Sequence, residues 1–278
     1  MRLGLHVSMA DGGAVAYAKR LGCTSMQVFT SSPQSYRRTP IDEVALKAFR
    51  VEREKADLDP CVIHTSYLIN LASDDRGKWH GSLGLLEHDL RYAAAAGITY
   101  VNTHLGSYGK RPREEGFPTV VQALERVLEN IAPGVILVLE NSAGAGQLVG
   151  GTIEELGEFL RAVDHPQLGV CVDTAHSWAA GYEINAAEGV KRFIDLIEEH
   201  IGLGRLHMFH FNDTQIPLGG HKDRHWHIGE GLIGLDGFRA LLSHSAVREK
   251  TAILETPGDE EDDARNMEVV RGLLAEAR

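Results

Sequence analysis

The sequence predicts an α/β protein built as a single (β/α)8 barrel (TIM barrel), and three observations lead to this prediction. Short apolar runs recur eight times along the 278 residues, separated by polar loops and helical stretches. The length suits such a barrel, which typically needs roughly 250 residues. No Pro/Gly/Ser-rich linker or change in composition divides the chain, so residues 1–278 are interpreted as one domain. A doubly wound open sheet is the alternative, but no G-x-G-x-x-G motif follows the first strand.

Eight segments rich in Val, Ile, Leu and Phe are the predicted strands. They cover residues 3–7, 25–29, 61–64, 99–104, 135–140, 168–173, 206–211 and 251–255. Apolar residues at helical spacing predict helices between them, at 41–56, 82–96, 118–130, 152–163, 186–201 and 235–242. Thr152 and Glu155 form a capping-box pattern at the fourth helix. The acidic run at 259–263 is expected to open a last helix, because negative charge suits a helix N-terminus.

Composition restricts the class of protein. There is no N-terminal apolar run after a basic start and no apolar run of roughly 18 residues, so we expect neither a signal peptide nor a membrane span. Three cysteines without paired spacing favour reduced thiols in a cytoplasmic protein. A C-x-x-C zinc site is excluded, whereas the 14 histidines are an unusual supply of the commonest metal ligand.

Six side chains of metal-binding type lie at or near the carboxyl ends of six different predicted strands. They are His64, His104, Glu140, Asp173, His210 and Glu255. In a barrel these ends converge on one face, where active sites are built. Taken singly, each has a structural explanation, either as a hydrogen-bonded histidine or as a carboxylate that caps the next helix. Burying three carboxylates together without cations would cost on the order of several kcal/mol, so their coincidence favours a metal site.

The number of metal ions separates two functions. One ion is enough for a sugar isomerase or epimerase, and its ligands would be Glu140, Asp173, His210 and Glu255. A second ion next to Glu140 would be held by His64 and His104. A third would use His176 together with two alternate residues of HKDRHWHIGEG, Asp223 and His225. Imidazole and carboxylate donors without thiolates fit Zn2+ best, with Mn2+ or Fe2+ as alternatives.

A cluster of two or three divalent ions is typical of phosphoryl chemistry, in which one ion generates hydroxide and another stabilises the leaving oxygen. The net charge of −11 argues against a polyanionic substrate, but three Zn2+ would bring it to about −5. The loops predicted on the same face carry basic residues that would suit a phosphate-lined groove. These are Arg37, Arg38, Lys110, Arg111, Arg113, Lys222 and Arg224.

The loop HTSYLINLAS (64–73) places Tyr67 beside two apolar residues, Leu68 and Ile69. Apolar side chains at a basic mouth can wedge between bases and stabilise a kinked duplex. The other interpretation is that this loop packs on the rim of the barrel. This stretch by itself favours packing on the rim.

Eight stretches of the sequence form a recognisable set. They are GLHVS (4–8), HTSYLINLAS (64–73), NTHLGS (102–107), LENSAGAG (139–146), DTAHSWAAGY (173–182), HFND (210–213), DRHWHIGEG (223–231) and ILETP (253–257). They are spread over seven of the eight predicted barrel units, which makes them specific as a set. Through them the chain resembles, over essentially its full length, the endonuclease IV-type apurinic/apyrimidinic (AP) endonucleases of the xylose isomerase-like barrel superfamily.

The resemblance implies a zinc-dependent DNA-repair hydrolase, a deoxyribonuclease IV, that acts on double-stranded DNA. Such an enzyme cleaves the backbone 5′ to abasic sites, leaving a 3′-OH and a 5′-deoxyribose phosphate, and removes blocking groups from 3′ ends. It also implies three zinc ions on the nine residues named above, with Glu140 bridging two ions and Glu255 helping it position the attacking hydroxide. A monomer without an obligate protein partner is expected.

The resemblance further implies DNA contacts, and here the sequence departs from the family pattern. Tyr67 matches a residue that enters the duplex at the lesion, and Arg224 lies in the basic loop between two implied ligands. Gln34 stands where family members often have an arginine that enters the DNA, and Tyr36 where tryptophan is common. Two further departures, Ala145 and Ala175, do not touch an implied metal ligand.

Two rival functions remain at this stage. A mononuclear isomerase or epimerase on the same barrel would carry one divalent ion per chain instead of three. A DNA-binding repair scaffold without catalysis would keep its activity in cells after the substitution His104→Ala. Metal content and abasic-site incision with and without a chelator discriminate among the three.

Overall fold

A computed structural model describes residues 1–9 and 13–277 of the chain. Its strands are β1 (Arg2–His6), β2 (Ser25–Phe29), β3 (Cys61–His64), β4 (Tyr100–Thr103), β5 (Ile136–Glu140), β6 (Leu168–Asp173), β7 (Leu206–His210) and β8 (Thr251–Leu254). The helices of these ranges are α1 (Ala14–Arg20), α2 (Glu43–Lys55), α3 (Arg76–Ala96), α4 (Arg113–Leu128), α5 (Ile153–Val163), α6 (Thr174–Ala180), α7 (Ala187–His200), α8 (Gly234–Ser243), α9 (Ser245–Arg248) and α10 (Glu260–Glu276).

The eight strands form a closed parallel barrel in sequence order, which confirms the predicted (β/α)8 fold. Each strand pairs with its neighbour along the chain, and β1 pairs with β8 through Leu3 opposite Ala252. Helices follow the strands on the outside, as right-handed crossover connections between parallel strands require. Closure of the sheet brings the carboxyl ends of all eight strands to one rim.

The barrel interior is apolar below this rim. Five fully buried side chains fill it: Val62, Val138, Cys171, Met208 and Ile253. Each of them lies two residues before one of the strand-end residues predicted to bind metal. Because successive side chains of a strand point to opposite faces, an inward-pointing core residue fixes the residue two positions later as inward-pointing too. The core of the barrel and its polar mouth are therefore built from the same inward faces of the strands.

Several helices differ from their predicted bounds. α3 begins six residues earlier than predicted, where the Asp75 side chain accepts the Lys78 amide at 3.0 Å. α4 begins five residues earlier, so Pro118 lies inside the helix and not at its start. The short helices α1 and α6 were not predicted, because seven residues are too few to show a helical period.

The helix caps are partly as predicted. Thr152 accepts the Glu155 amide at 3.1 Å, but the Glu155 carboxylate does not complete the box and instead accepts the Gly150 amide at 2.7 Å. Asp259 and Asp262 form a complete capping box at the start of α10. No helix within residues 1–9 and 13–277 has the length and apolar character needed to cross a membrane. The three cysteines are unpaired and buried.

Candidate metal centre

The strand-end residues meet in the barrel mouth. Asp173 and His210 are fully buried, and Glu140 and His64 are 1% and 3% exposed. His104 and Glu255 are partly exposed towards the opening. Burial of ionisable groups at this density is costly unless the groups are paired or bind a cation, so the arrangement points to a site.

The metal-binding side chains form three groups, and within each group the donor atoms lie within 4.8 Å of one another. They are His64, His104 and Glu140; Glu140, Asp173, His210 and Glu255; and Asp173, His176 and His225. The ninth predicted ligand, Asp223, joins the third group, with Oδ1 3.2 Å from His176 Nε2 and 3.5 Å from His225 Nε2. The structure thus brings all nine residues together. It adds Asp173 to the third group, since its Oδ2 lies 3.5 Å from His225 Nε2.

Glu140 is the centre of the cluster. Its Oε2 lies 3.3 Å from His64 Nε2 and 3.6 Å from His104 Nε2. Its Oε1 lies 3.1 Å from His210 Nδ1 and 3.4 Å from His176 Nδ1. One carboxylate therefore faces imidazoles on both sides, which is the geometry that a bridging ligand between two ions requires.

Hydrogen bonds to backbone carbonyls orient three of the histidines. The Nδ1–H groups of His64, His176 and His225 donate to the carbonyls of Thr65, Asn141 and Glu255 at 2.8, 3.0 and 3.2 Å. This pairing leaves each Nε2 free to face the centre, as is usual for metal-binding histidines. Within the described residues the buried Nε2 atoms of His176 and His225 have no hydrogen-bond partner. A divalent cation between these nitrogens and Asp223 would satisfy both, so the residues fit a metal.

Two residues of the mouth escaped the sequence analysis. Gln27 on β2 accepts from His210 Nε2 at 2.9 Å and donates to Glu255 Oε1 at 2.6 Å. It also lies 2.9 Å from Nδ1 of His6, which ends β1 and is 3.3 Å from Glu255 Oε1. Applying the strand-end criterion to the first strand as well would have found His6. Gln27 has no such signal, because it lies inside a strand and only its inward direction marks it.

Three buried asparagines complete the polar layer around the carboxylates. Asn102 donates to Glu140 Oε2 at 2.5 Å. Asn212 donates to Asp173 Oδ2 at 2.7 Å and accepts the Glu255 amide at 2.9 Å, and Asn141 accepts the Asp173 amide at 2.7 Å. Such outer partners hold ligands in place and are part of the design of a metal site.

Asp173 has two roles in the structure. It ends β6 and is also the N-cap of α6, where its Oδ1 accepts the His176 amide at 2.8 Å. The other oxygen remains directed at Asn212 and His225. The helix-cap interpretation of this aspartate and the metal-site interpretation are therefore compatible, because the cap uses one oxygen only.

Opposite charges in the mouth shift the pKa values of its carboxyl groups. Burial by itself would raise the pKa of Glu140, but the facing imidazoles of His104 and His210 outweigh burial and hold it well below its usual range. The pKa of Glu255 is lowered well below its usual range in the same way, against its burial, chiefly by His210. Both side chains are therefore carboxylates at neutral pH, as metal ligands must be.

The pKa values of the histidines in the mouth are shifted in opposite directions. Burial would lower the pKa of His176, but Asp173 and Asp223 raise it well above its usual value. For His104 burial dominates and lowers the pKa. The Asp223 side chain is 61% exposed; partial desolvation would raise the pKa of its carboxyl, but the His176 imidazole outweighs this and lowers the pKa to about 2. Without a metal the mouth thus holds protons on some histidines, which is the charge that bound cations would replace.

The loops around the mouth carry the predicted DNA contacts. The Tyr67 side chain is 59% exposed, and its ring packs edge-on against His64 and Phe29 with centroids 5.7 and 5.5 Å apart. Ile69 from the same loop is buried, so it packs on the rim and only Tyr67 projects. Gln34 and Arg224 are exposed.

The basic residues of the loops divide into two kinds. Arg113 pairs with Glu155 and Glu158, and Arg111 donates to the Ala72 carbonyl, so both are engaged by the protein. Lys110 and Lys222 are exposed. The predicted phosphate groove therefore loses two of its basic side chains to structural contacts.

Fold and site together define a class, the parallel barrels with a cluster of metal-binding side chains at the mouth. A sequence model of the family described as "Xylose isomerase-like TIM barrel" matches residues 15–274. Among solved structures, the D-tagatose 3-epimerase-like protein has a TM-score of 0.77 at 18% identity, covering 100% of this chain and 98% of that one. At that identity the likeness shows the fold alone.

More similar relatives narrow the class. The "Probable endonuclease 4" of Solibacter usitatus is 40% identical over 281 residues, covering 98% of this chain and 97% of that protein. The crystal structure of endonuclease IV from Thermus thermophilus has a TM-score of 0.89 at 37% identity, covering 99% of this chain and 100% of that one. The chain belongs to the endonuclease IV family, and it is therefore an enzyme of the nuclease class of hydrolases.

Proposed function

We propose that this chain is a zinc-dependent DNA-repair phosphodiesterase. It cleaves the DNA backbone 5′ to abasic sites, leaving a 3′-OH and a 5′-deoxyribose phosphate, and it removes blocking groups from 3′ ends. The observation that carries the proposal is the sharing of Glu140 and Asp173 among three adjacent donor groups. A single-ion enzyme needs only one such group.

Three zinc ions per chain would be held by nine residues. The first ion would have His64, His104 and Glu140 as ligands; the second, Glu140, Asp173, His210 and Glu255; the third, His176, Asp223 and His225. Mn2+ or Fe2+ can replace zinc at one position, since these donors suit all three metals. When bound, the ions supply the positive charge that activates water near neutral pH and neutralises a phosphate group.

The proposed catalytic carboxylates are Glu140 and Glu255. Glu140 receives the Asn102 amide on Oε2, and Glu255 is held through Oε1 by Gln27 and lies next to His6. Held in this way, both carboxylates face the same space at the mouth and can orient the attacking oxygen towards a phosphorus atom. Their low pKa keeps them ionised, so they can accept hydrogen bonds from that oxygen.

The proposed DNA contacts are Tyr67, Gln34 and Arg224. The exposed Tyr67 ring stands beside His64, so a base step that it unstacks would lie over the metal centre. Arg224 lies between Asp223 and His225 in sequence and is exposed, so its guanidinium is available for a contact with a phosphate of the DNA backbone. Gln34 carries no charge and can contribute hydrogen bonds only.

The main rival is a mononuclear sugar isomerase or epimerase. Its four ligands are present within the cluster, but it has no need for His64, His104, His176, Asp223 or His225. We also propose that the chain is one domain without an obligate partner. A cytoplasmic location is proposed as well, and three buried unpaired thiols support it.

Two measurements on the purified protein test the proposal. Elemental analysis should give about three zinc ions per chain, whereas one Mn2+ or Mg2+ would favour the isomerase. A duplex with one abasic analogue should be nicked 5′ to the analogue, and a chelator should stop the reaction. The matched duplex without the lesion is the control. Absence of a chelator-sensitive nick would refute the proposed function, and a nick that survives His104→Ala would refute the metal mechanism.

A further inference from the structure

A buried carboxylate outside the donor groups holds the loop that carries two of the proposed ligands. Asp213 follows β7 and is fully buried. Its two oxygens accept five backbone amides, Oδ1 those of Thr214 (2.8 Å) and Ile233 (3.0 Å), and Oδ2 those of Gly229 (2.9 Å), Gly231 (3.0 Å) and Gly234 (3.1 Å). The segment 229–234 is thus wrapped around one side chain.

Backbone contacts of the same residue reach the ligand pair itself. The Asp213 carbonyl accepts the amide of Trp226, which directly follows His225, at 2.7 Å. The neighbouring Thr214 hydroxyl donates to the carbonyl of Arg224, between Asp223 and His225, at 2.7 Å. These two hydrogen bonds hold the loop backbone on both sides of His225, at Arg224 and at Trp226.

Gly231 shows how close this contact is. A Cβ atom at Gly231 would overlap Asp213 Oδ1 and the Thr214 carbonyl. Its backbone does not have a positive φ, so glycine is required by the close approach and not by conformation. The second glycine of the GEG stretch (229–231) therefore allows the chain to come close to the Asp213 carboxylate.

The loop needs such a hold. The Asp223 side chain is 61% exposed, and no strand ladder fixes its backbone, in contrast to the ligands at the strand ends. A buried carboxylate is costly unless several donors satisfy it, and five amides do so here. Because all five amides belong to the segment that follows β7, their hydrogen bonds to Asp213 fix the backbone conformation of that segment.

We propose that Asp213 is a positioning residue that sets the affinity of the third ion by holding Asp223 and His225 opposite His176. This inference rests on the proposed function, because it takes the third donor group as an ion site. Asp213 itself does not touch the ion or the substrate. It acts through the backbone of residues 223–234.

The substitution Asp213→Asn tests the inference on the full chain. The carboxamide keeps the shape but turns one acceptor into a donor that opposes the loop amides. We expect about two zinc ions per chain at limiting zinc, a zinc requirement for the third ion raised about 10–100-fold, and rescue by excess zinc. The control is Asp89→Asn, another buried aspartate, which accepts from Thr30 and supports a loop without proposed ligands. It should keep three ions.

A second pair of variants covers a failure of Asp213→Asn to fold. Gly231→Ala presses a methyl group into the same contact without a change of charge and should weaken the third ion in the same way. Gly272→Ala on α10, where a Cβ meets no neighbour within 4 Å, is its control. Asp223→Ala should mimic Asp213→Asn, and the double variant should lose no further ion.

The outcomes separate this inference from the proposed function. A wild-type protein with one ion would refute the proposed function. A wild-type protein with three ions, together with Asp213→Asn and Gly231→Ala variants that load all three at the same zinc concentration, would refute only the inference. Loss of all three ions at once with a lowered melting temperature would also overturn it, because that result indicates general destabilisation.

Discussion

The metal centre has two parts that the chain builds in different ways. His64, Glu140 and His210 end barrel strands and are buried by the ladder on both sides. Asp223 and His225 come from the long loop after β7, and their side chains are 61% and 17% exposed. Both parts contribute donors of the same chemistry to the same mouth.

The difference shows what holds a ligand in place. At the strand ends, register and the alternation of side chains already fix the donor, so additional contacts only refine it. The loop has neither of these constraints. Its backbone is held instead by five amide groups that donate hydrogen bonds to the buried Asp213 carboxylate. The strand part should therefore resist local changes, and the loop part should be sensitive to them.

The largest effect on metal content and incision rate is expected for Glu140→Gln, because Glu140 lies at the centre of the strand part. Glutamine keeps the size but loses the charge and the second acceptor oxygen that faces His210 and His176. We expect loss of at least two ions and a fall in incision rate of about 10³-fold or more, equivalent to several kcal/mol. Elemental analysis and kcat on an abasic duplex measure both quantities. Glu155→Gln, a buried glutamate outside the donor groups, should keep three ions; a Glu140→Gln variant within tenfold of the wild-type rate would contradict the bridging role.

The next effect is a pH dependence of zinc loading. In the metal-free mouth the pKa of His176 and of His210 is raised well above the usual value, so both imidazoles hold protons that zinc must displace. Zinc affinity should therefore fall as pH falls, by about tenfold per pH unit for each displaced proton. Calorimetry in buffers of different ionisation enthalpy counts the protons released. Affinity that stays constant between about pH 6 and 8 would contradict this expectation.

A smaller effect is expected for Gln27→Leu, which removes the amide that serves both His210 and Glu255. Loss of such an outer contact lowers metal affinity about 10–100-fold, here at the second ion. The rate of zinc release to a chelator is compared between this variant and Asp213→Asn. The comparison tests whether the strand part and the loop part of the metal centre are independent. Preferential release of the third ion from Gln27→Leu would show that the two parts are not independent.

The smallest effect is expected for Tyr67→Ala, which lies on a loop but carries no donor. Stacking on a base is worth about 1 to 3 kcal/mol, so KM for an abasic duplex should rise while zinc content stays at the wild-type value. The conservative control is Tyr67→Phe, which keeps the ring and should bind nearly as well. A zinc content changed by Tyr67→Ala would indicate that the ring supports His64 instead of contacting DNA.

Much of the site follows from local pattern. Val62, Val138 and Ile253 mark the inward faces of three strands, and the residues two positions later are His64, Glu140 and Glu255. The strand-end criterion would also have found His6 if it had been applied to the first strand. The start of α3 was not predictable in this way, because its first two turns contain Gly77 and Gly81 and show no apolar period.

The amino-acid sequence by itself determined the closed barrel, the strand ends and the side-chain types that converge there, because alternation within a strand is a local property of the chain. Only the tertiary structure decided that Gln27 meets His210, which is 183 residues away, and that Asp213 reaches the amides of 229–234. It also placed Asp173 between two donor groups. These contacts depend on barrel closure, on the register between strands and on the path of a loop, and none of these is encoded in the spacing of residues along one segment.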